Sequence, residues 1–162
     1  MATPTITVAP PPSERRFFTG IAIAILVTVL VGFARSFYLR PLFPDHRSPS
    51  ESFFYVHGAV FTAWILLLLT QASLVAAGRT DLHRRVGAFG VALAILMVVL
   101  GAYAALVAAT RPNGFVGVPV PPLQFLVVPL CDMVLFGTFV ALAVAMRRDP
   151  QSHKRLMLFA TI

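Results

Sequence analysis

Four long apolar runs, almost free of charge, constrain this chain more than any other feature of its sequence. The predicted spans cover residues 17–39, 52–77, 86–110 and 124–146, and each exceeds the roughly 20 residues that a helix needs to cross hydrocarbon. Because the apolar residues are continuous and do not alternate with polar ones, helices are favoured over a barrel. The sequence therefore predicts an all-α polytopic transmembrane helix bundle with four complete spans and the start of a fifth near residue 153.

Composition agrees with a lipid environment. The chain is 58% hydrophobic and 12% charged, with a mean hydropathy of +0.85, whereas about one quarter of a soluble domain is charged. A net charge of +7 would suggest nucleic acid in a soluble protein. Here the cations lie in the connections between apolar runs, so they indicate membrane topology and no nucleic-acid partner. The single cysteine, Cys131, excludes an internal disulfide and a multi-thiolate metal site.

The predicted organisation is a disordered cytoplasmic tail over residues 1–16, rich in Pro, Thr and Ala, followed by one transmembrane domain over residues 17–162. The uncharged stretch 17–34 is longer than the roughly 7–15 residues of a signal-peptide core, so we read it as a retained span. Prolines interrupt the connections at 40–49 and 111–122. The apolar segment that begins near residue 153 is too short to cross a bilayer. We expect a truncated piece of a longer protein, with a short interfacial end as the alternative.

Lysine and arginine are distributed unequally between the two sides of the predicted bundle. Nine lie on the side of the N terminus and four on the other side. The positive-inside rule then predicts a multi-pass protein of the cell inner (plasma) membrane with a cytoplasmic N terminus. Small residues in the third span, Gly90 with Ala94 and Gly101 with Ala105, predict close helix packing of the ordinary bundle kind.

Two ionisable residues lie within the predicted spans, His57 in the second and Asp132 in the fourth. Such groups are costly in hydrocarbon and usually face a partner inside the bundle. Since both lie at similar depth near the outer side, we predict an intramembrane polar pair between His57 and Asp132, which could also serve a proton or a ligand. The alternative is that His57 bonds a backbone carbonyl and that Asp132 is partly exposed to water.

Two charged blocks with a similar residue pattern each precede an apolar run. One runs from Asp81 to Val86 and the other from Asp149 to Leu156, and an even number of spans separates them. Both blocks are therefore expected on the cytoplasmic side, with Asp81 and Ser152 as helix caps. Helix starts with nearby cations favour an anion such as a lipid phosphate or a haem propionate. The predicted anion- or lipid-binding residues are Arg84, Arg85, Lys154 and Arg155.

The histidines of these blocks, His83 and His153, are the candidate cofactor-binding residues, because two imidazoles can ligate a haem iron or a metal ion. The alternative is that both blocks are only topogenic anchors. The sequence carries neither a multi-ligand metal motif nor a catalytic constellation, so no metal site and no catalytic residue are predicted, and an enzyme is disfavoured.

Several of these residues carry a resemblance. The run from His57 to Trp64, Gln71, the run from Leu82 to Gly87 and the run from His153 to Met157 resemble a family of small bacterial multi-pass membrane proteins of unknown function. The resemblance covers the chain from about Phe17 onward, and its members are longer at the C terminus. A looser similarity to b-type cytochrome membrane domains implies haem between histidine pairs, although His83 and His153 lie at helix starts.

The sequence therefore leads to two functional expectations. The first is a non-enzymatic membrane subunit, or a protein that interacts with lipid or anions and needs no cofactor. The alternative is a redox membrane protein that binds b-type haem through His83 and His153. The expected partners are the lipid bilayer, anionic lipid headgroups, and a membrane partner subunit or a second copy of the chain.

Overall fold

The chain folds into a bundle of helices, seen in a computed structural model that describes residues 11–44, 52–112 and 114–162. None of these residues belongs to a strand. A π-helical turn, Ala34–Tyr38, and a 3-10 turn, Arg40–Leu42, follow the first helix. The helices are α1 (Pro12–Gly32), α2 (Ser52–Ala76), α3 (Thr80–Thr110), α4 (Pro122–Phe125), α5 (Val127–Ala145) and α6 (Pro150–Thr161).

Within the described residues, four helical segments are long and apolar enough to cross a membrane: Ser13–Gly32 of α1, all of α2, all of α3, and Pro122–Ala145 of α4 and α5. The predicted fold class is confirmed. Large apolar side chains such as Val31, Phe89 and Val134 are 67–78% exposed, as suits a surface that meets lipid. The fifth predicted segment is α6, whose 12 residues are too few to cross hydrocarbon.

The helices begin earlier than the apolar runs do. Helix α1 begins at Pro12 and α3 at Thr80, whereas the spans were predicted from residues 17 and 86. Hydropathy marks the part that crosses hydrocarbon, but backbone hydrogen bonding continues into the charged turns beyond it, and proline suits a first helical position. Residues 12–16, assigned to the disordered tail, are therefore helical. Residues 1–10, 45–51 and 113 lie outside the described part, and so do the predictions made for them in the tail and in the connections at 40–49 and 111–122.

Consecutive helices pack side by side around a small core. Helix α1 lies against α2, α2 against α3, α3 against α5 and α5 against α6. Gly78 has a φ of +73°, the left-handed conformation that glycine adopts most easily, and it turns the chain from α2 into α3. The buried core residues are Trp64, Ile65, Ala94, Met97, Phe136 and Val140.

Small residues allow the close packing that the sequence predicted in α3. Gly90, Ala94, Gly101 and Ala105 are all buried. A Cβ atom on Gly101 would overlap the Met133 side chain of α5. Helix α3 therefore approaches α5 closely because this position has no side chain.

Candidate functional site

One end of the bundle brings together the starts of α1, α3 and α6 and the ends of α2 and α5. We call it the basic end, formed by residues 13–18, 71–85 and 143–155. Arg15 Nη1 donates to the carbonyl oxygen of Ala76 at 3.2 Å, which joins α1 to α2. Lys154 of α6 forms an ion pair with Glu14 of α1. The two charged blocks lie at the same end, as the even number of intervening spans predicted.

Arginine side chains dominate the surface of the basic end. Those that are exposed are Arg16, Arg79, Arg84, Arg85, Arg147, Arg148 and Arg155. The three acids described at this end all have partners: Glu14 pairs with Lys154, the Asp81 carboxylate lies 3.9 Å from the guanidinium of Arg79, and Asp149 accepts from Gln151 and Ser152. Positive charge therefore exceeds negative charge on this surface.

The four cations predicted to bind an anion do not share one environment. Arg84, Arg85 and Arg155 are exposed. Lys154 is half-buried, pairs with Glu14, and holds its Nζ 5.2 Å from the centroid of the Phe18 ring. The arginines are therefore available to an anion, whereas the lysine mainly fastens α6 to α1.

The histidines of the two blocks face each other. The ring centroids of His83 and His153 are 6.2 Å apart and the ring planes are nearly perpendicular, at 89°. His83 lies in the first turn of α3 and His153 in the first turn of α6. The repeated block thus brings two imidazoles from different helices together within the basic end.

A backbone carbonyl group holds the His153 ring in place, whereas the His83 ring has an unpaired nitrogen. His153 Nδ1 lies 2.8 Å from the carbonyl oxygen of Ala143. His83 Nδ1 is buried and has no hydrogen-bond partner among the described residues. The same holds for Oε1 of Gln71, whose Nε2 donates to the His83 carbonyl oxygen at 3.2 Å. Gln71, His83 and His153 therefore form one polar cluster, which we call the histidine cluster.

The predicted helix caps were assigned to the wrong residues. Helix α3 begins after Arg79 without a side-chain cap, and Asp81 lies inside its first turn. Helix α6 is capped by Asp149, which accepts from the amide of Gln151 at 3.0 Å and from the Ser152 hydroxyl at 2.5 Å. The hydroxyl of Ser152 is the main reason that the pKa of Asp149 lies below its usual value. Proline follows Asp149 at the first helical position, and that signal could have identified the cap.

The predicted hydrogen bond between His57 and Asp132 is not formed. The His57 ring lies 4.1 Å from the ring of Phe61, measured between centroids, and its Nδ1 is buried without a hydrogen-bond partner among the described residues. Asp132 is exposed on α5. The two side chains therefore do not form the predicted pair.

Two contacts of α6 were not anticipated from the sequence. Trp64 Nε1 of α2 donates to Oγ1 of Thr161 at 3.2 Å, and Glu14 pairs with Lys154. Both join residues far apart in the chain, and no local pattern reports them. Gln71 is different, because it and His83 lie at similar distances on either side of the Gly78 turn, so an antiparallel hairpin places them opposite each other.

Among the residues that the structure describes, no group of three or more His, Cys, Asp and Glu side chains is arranged to hold a metal ion. Comparison with known protein families, with curated proteins and with solved structures found no match.

Proposed function

We propose that this chain is a non-enzymatic integral protein of the inner (plasma) membrane whose basic end binds anionic lipid headgroups on the cytoplasmic side. The observation that carries the proposal is the group of exposed arginines at that end, of which Arg84, Arg85 and Arg155 flank the histidine cluster. Anionic lipids attract basic residues at a membrane surface by about 1 kcal/mol for each Lys or Arg. This surface would therefore face the leaflet rich in negative charge.

The opposite end of the bundle supports the same orientation. Its described arginines lie over aromatic rings: Arg35 over Phe43, Arg40 over Tyr55 and Arg111 over Phe54, at 5.4, 5.2 and 4.2 Å from the ring centroids. Such cation–π contacts engage the guanidinium groups within the protein. Together with the excess of Lys and Arg at the basic end, this favours a cytoplasmic N terminus.

The lipid proposal is tested by comparing matched arginine variants in nanodiscs that contain phosphatidylglycerol or phosphatidylcholine. Replacing the three arginines of the basic end by glutamine removes about 3 kcal/mol of attraction, so we expect bound phosphatidylglycerol to fall about a hundredfold in affinity. The triple variants are R84Q/R85Q/R155Q and, as the control at the other end, R35Q/R40Q/R111Q.

Lipid retention is measured by native mass spectrometry. The preference of the native chain for phosphatidylglycerol should weaken as salt rises, because exposed charges are screened over about 10 Å at 0.1 M. Equal retention by the native chain and the basic-end variant would contradict the proposal, and so would an equal loss in the two variants.

A role as a membrane subunit is a second candidate, favoured by Asp132. This carboxyl is exposed on α5 near the middle of the segment Pro122–Ala145, and an ionisable group that faces hydrocarbon costs a few kcal/mol. A partner subunit or a second copy of the chain would shield it. Cys131 is exposed beside it, so thiol cross-linking in membranes should capture a neighbour in the native chain and less of it in Asp132→Leu. Equal cross-linking in both would refute this role.

A further inference from the structure

The histidine cluster holds nitrogen and oxygen atoms for which the described protein supplies no partner. His83 Nδ1 and Gln71 Oε1 are both buried without a hydrogen bond. A buried polar atom without a partner costs about 1–3 kcal/mol, and native proteins rarely leave such atoms unsatisfied. Two of them in one cluster, contributed by α2 and α3, point to a bound species between the helices.

The His153 imidazole is arranged as metal ligands usually are, and the His83 imidazole has an unpaired nitrogen. A histidine that binds a metal typically donates its other ring N–H to a carbonyl or carboxylate, which fixes the tautomer and directs a lone pair at the ion. His153 Nδ1 lies 2.8 Å from the Ala143 carbonyl oxygen, which leaves Nε2 with the lone pair. His83 Nδ1 is buried and has no hydrogen-bond partner among the described residues, so it is available to an ion.

The separation of the two rings also fits a single shared ion. Consider two imidazoles that ligate one ion from opposite sides, each through a metal–nitrogen bond of about 2 Å. With the distance from each nitrogen to its ring centre added, the two ring centroids lie about 6 Å apart. The observed separation is 6.2 Å. A direct hydrogen bond between the rings would bring them closer, and none is formed at His83 Nδ1.

We propose that His83 and His153 ligate one transition-metal ion between α3 and α6. Where the ion is free, the Gln71 carboxamide oxygen is directed at the ion or at water bound to it. Imidazole suits zinc, copper, iron and nickel, and the ion is either free or the iron of a haem. The exposed Arg84, Arg85 and Arg155 oppose a bare dication. Further ligands or substituents are therefore anionic, such as hydroxide or haem propionates. This site does not depend on the lipid proposal.

The test uses the full chain purified in detergent with an affinity tag that contains no histidine. Samples are incubated separately with Zn²⁺, with Cu²⁺ and with haemin, and excess reagent is removed. Elemental analysis then gives the metal bound per chain, and absorbance gives haem. We expect each chain to bind one equivalent of haemin, or else one equivalent of Zn²⁺ or Cu²⁺ when each is offered separately. Retention of haemin with a sharp Soret band identifies haem iron, whereas retention of Zn²⁺ or Cu²⁺ alone identifies a free ion.

Single variants locate the ligands. His83→Ala and His153→Ala should each lose the probe, and Gln71→Leu should weaken binding by about 10–100-fold, as supporting residues of metal sites do. His57→Ala is the matched control, because His57 also lies in a span and has a buried Nδ1 without a partner but belongs to the other end of the bundle. It should bind as the native chain does. Retention by either cluster variant would overturn the proposal.

A measurement on the native chain covers the case in which a variant fails to fold. If Cu²⁺ or haem iron is retained, electron paramagnetic resonance should show coupling to imidazole nitrogens. If Zn²⁺ is retained, X-ray absorption should show nitrogen ligands near 2.0 Å. A retained metal without imidazole ligands would refute the site. So would a native chain that retains none of the probes, and the unpaired atoms would then be satisfied by a buried water alone.

Discussion

Substitution of Gly101 is the strictest test of the helix packing. A Cβ atom at this position would overlap the side chain of Met133 on α5 and lie 3.3 Å from Cζ of Phe61 on α2. Met133 is flexible and can give way in part, but Phe61 is a ring of limited freedom. Since overpacking a core typically costs about 1–3 kcal/mol, we expect Gly101→Ala to destabilise the bundle within that range and Gly101→Leu to cost more.

A second glycine supplies the matched control. At Gly20 of α1, no neighbouring atom lies within 4 Å of the position that a Cβ atom would occupy, so Gly20→Ala meets no clash and improves helix propensity by up to about 1 kcal/mol. Stability is measured as the loss of monodisperse protein on heating in detergent. Adding Met133→Ala to Gly101→Ala should recover part of the loss, because the two side chains compete for one space. If Gly101→Ala is as stable as Gly20→Ala, the packing of α3 on α5 is not as described.

Two further predictions concern α6. Thr161→Val removes the acceptor of the Trp64 Nε1 hydrogen bond and should lower the stability of the bundle by about 0.6 kcal/mol, the mean for such bonds between membrane helices. Trp64→Phe should then lower the stability less in the Thr161→Val background than in the native chain. Ser152 lowers the pKa of Asp149 in the folded chain. The ionised Asp149 cap therefore stabilises α6 fully at pH values above the ordinary carboxyl pKa, and this stabilisation is lost as the pH falls through the folded pKa. Hydrogen exchange in the first turn of α6, corrected for intrinsic rates, should rise on acidification in the native chain but much less in Asp149→Asn, and equal profiles would refute this role.

The fold could be predicted from the sequence because hydropathy responds to the membrane itself. Each span needs about 20 apolar residues, whatever its neighbours are, and the four runs met that requirement. The helix starts were placed too late because a helix continues beyond hydrocarbon, so that α3 begins at Thr80 and His83 lies within its first turn. The π-helical turn Ala34–Tyr38 had no signal that hydropathy could detect.

The candidate site was predictable only where topology brings residues together. The common side of the two blocks follows from counting spans, and that placed His83 near His153. The rotation of each helix about its axis does not follow from span counting. For this reason the pairing of His57 with Asp132 failed, and the pairing of Lys154 with Glu14 was missed.

The most direct test of the central claim, that both charged blocks lie at one cytoplasmic face, is cysteine accessibility in intact cells. In a Cys131→Ser background, single cysteines replace Ser152 at the start of α6 and Val116 in the connection between α3 and α4. A membrane-impermeant maleimide should label the cysteine at 116 in intact cells, and the cysteine at 152 only after the membrane is opened. Labelling of both positions from the same side, or of position 152 alone in intact cells, would contradict the account.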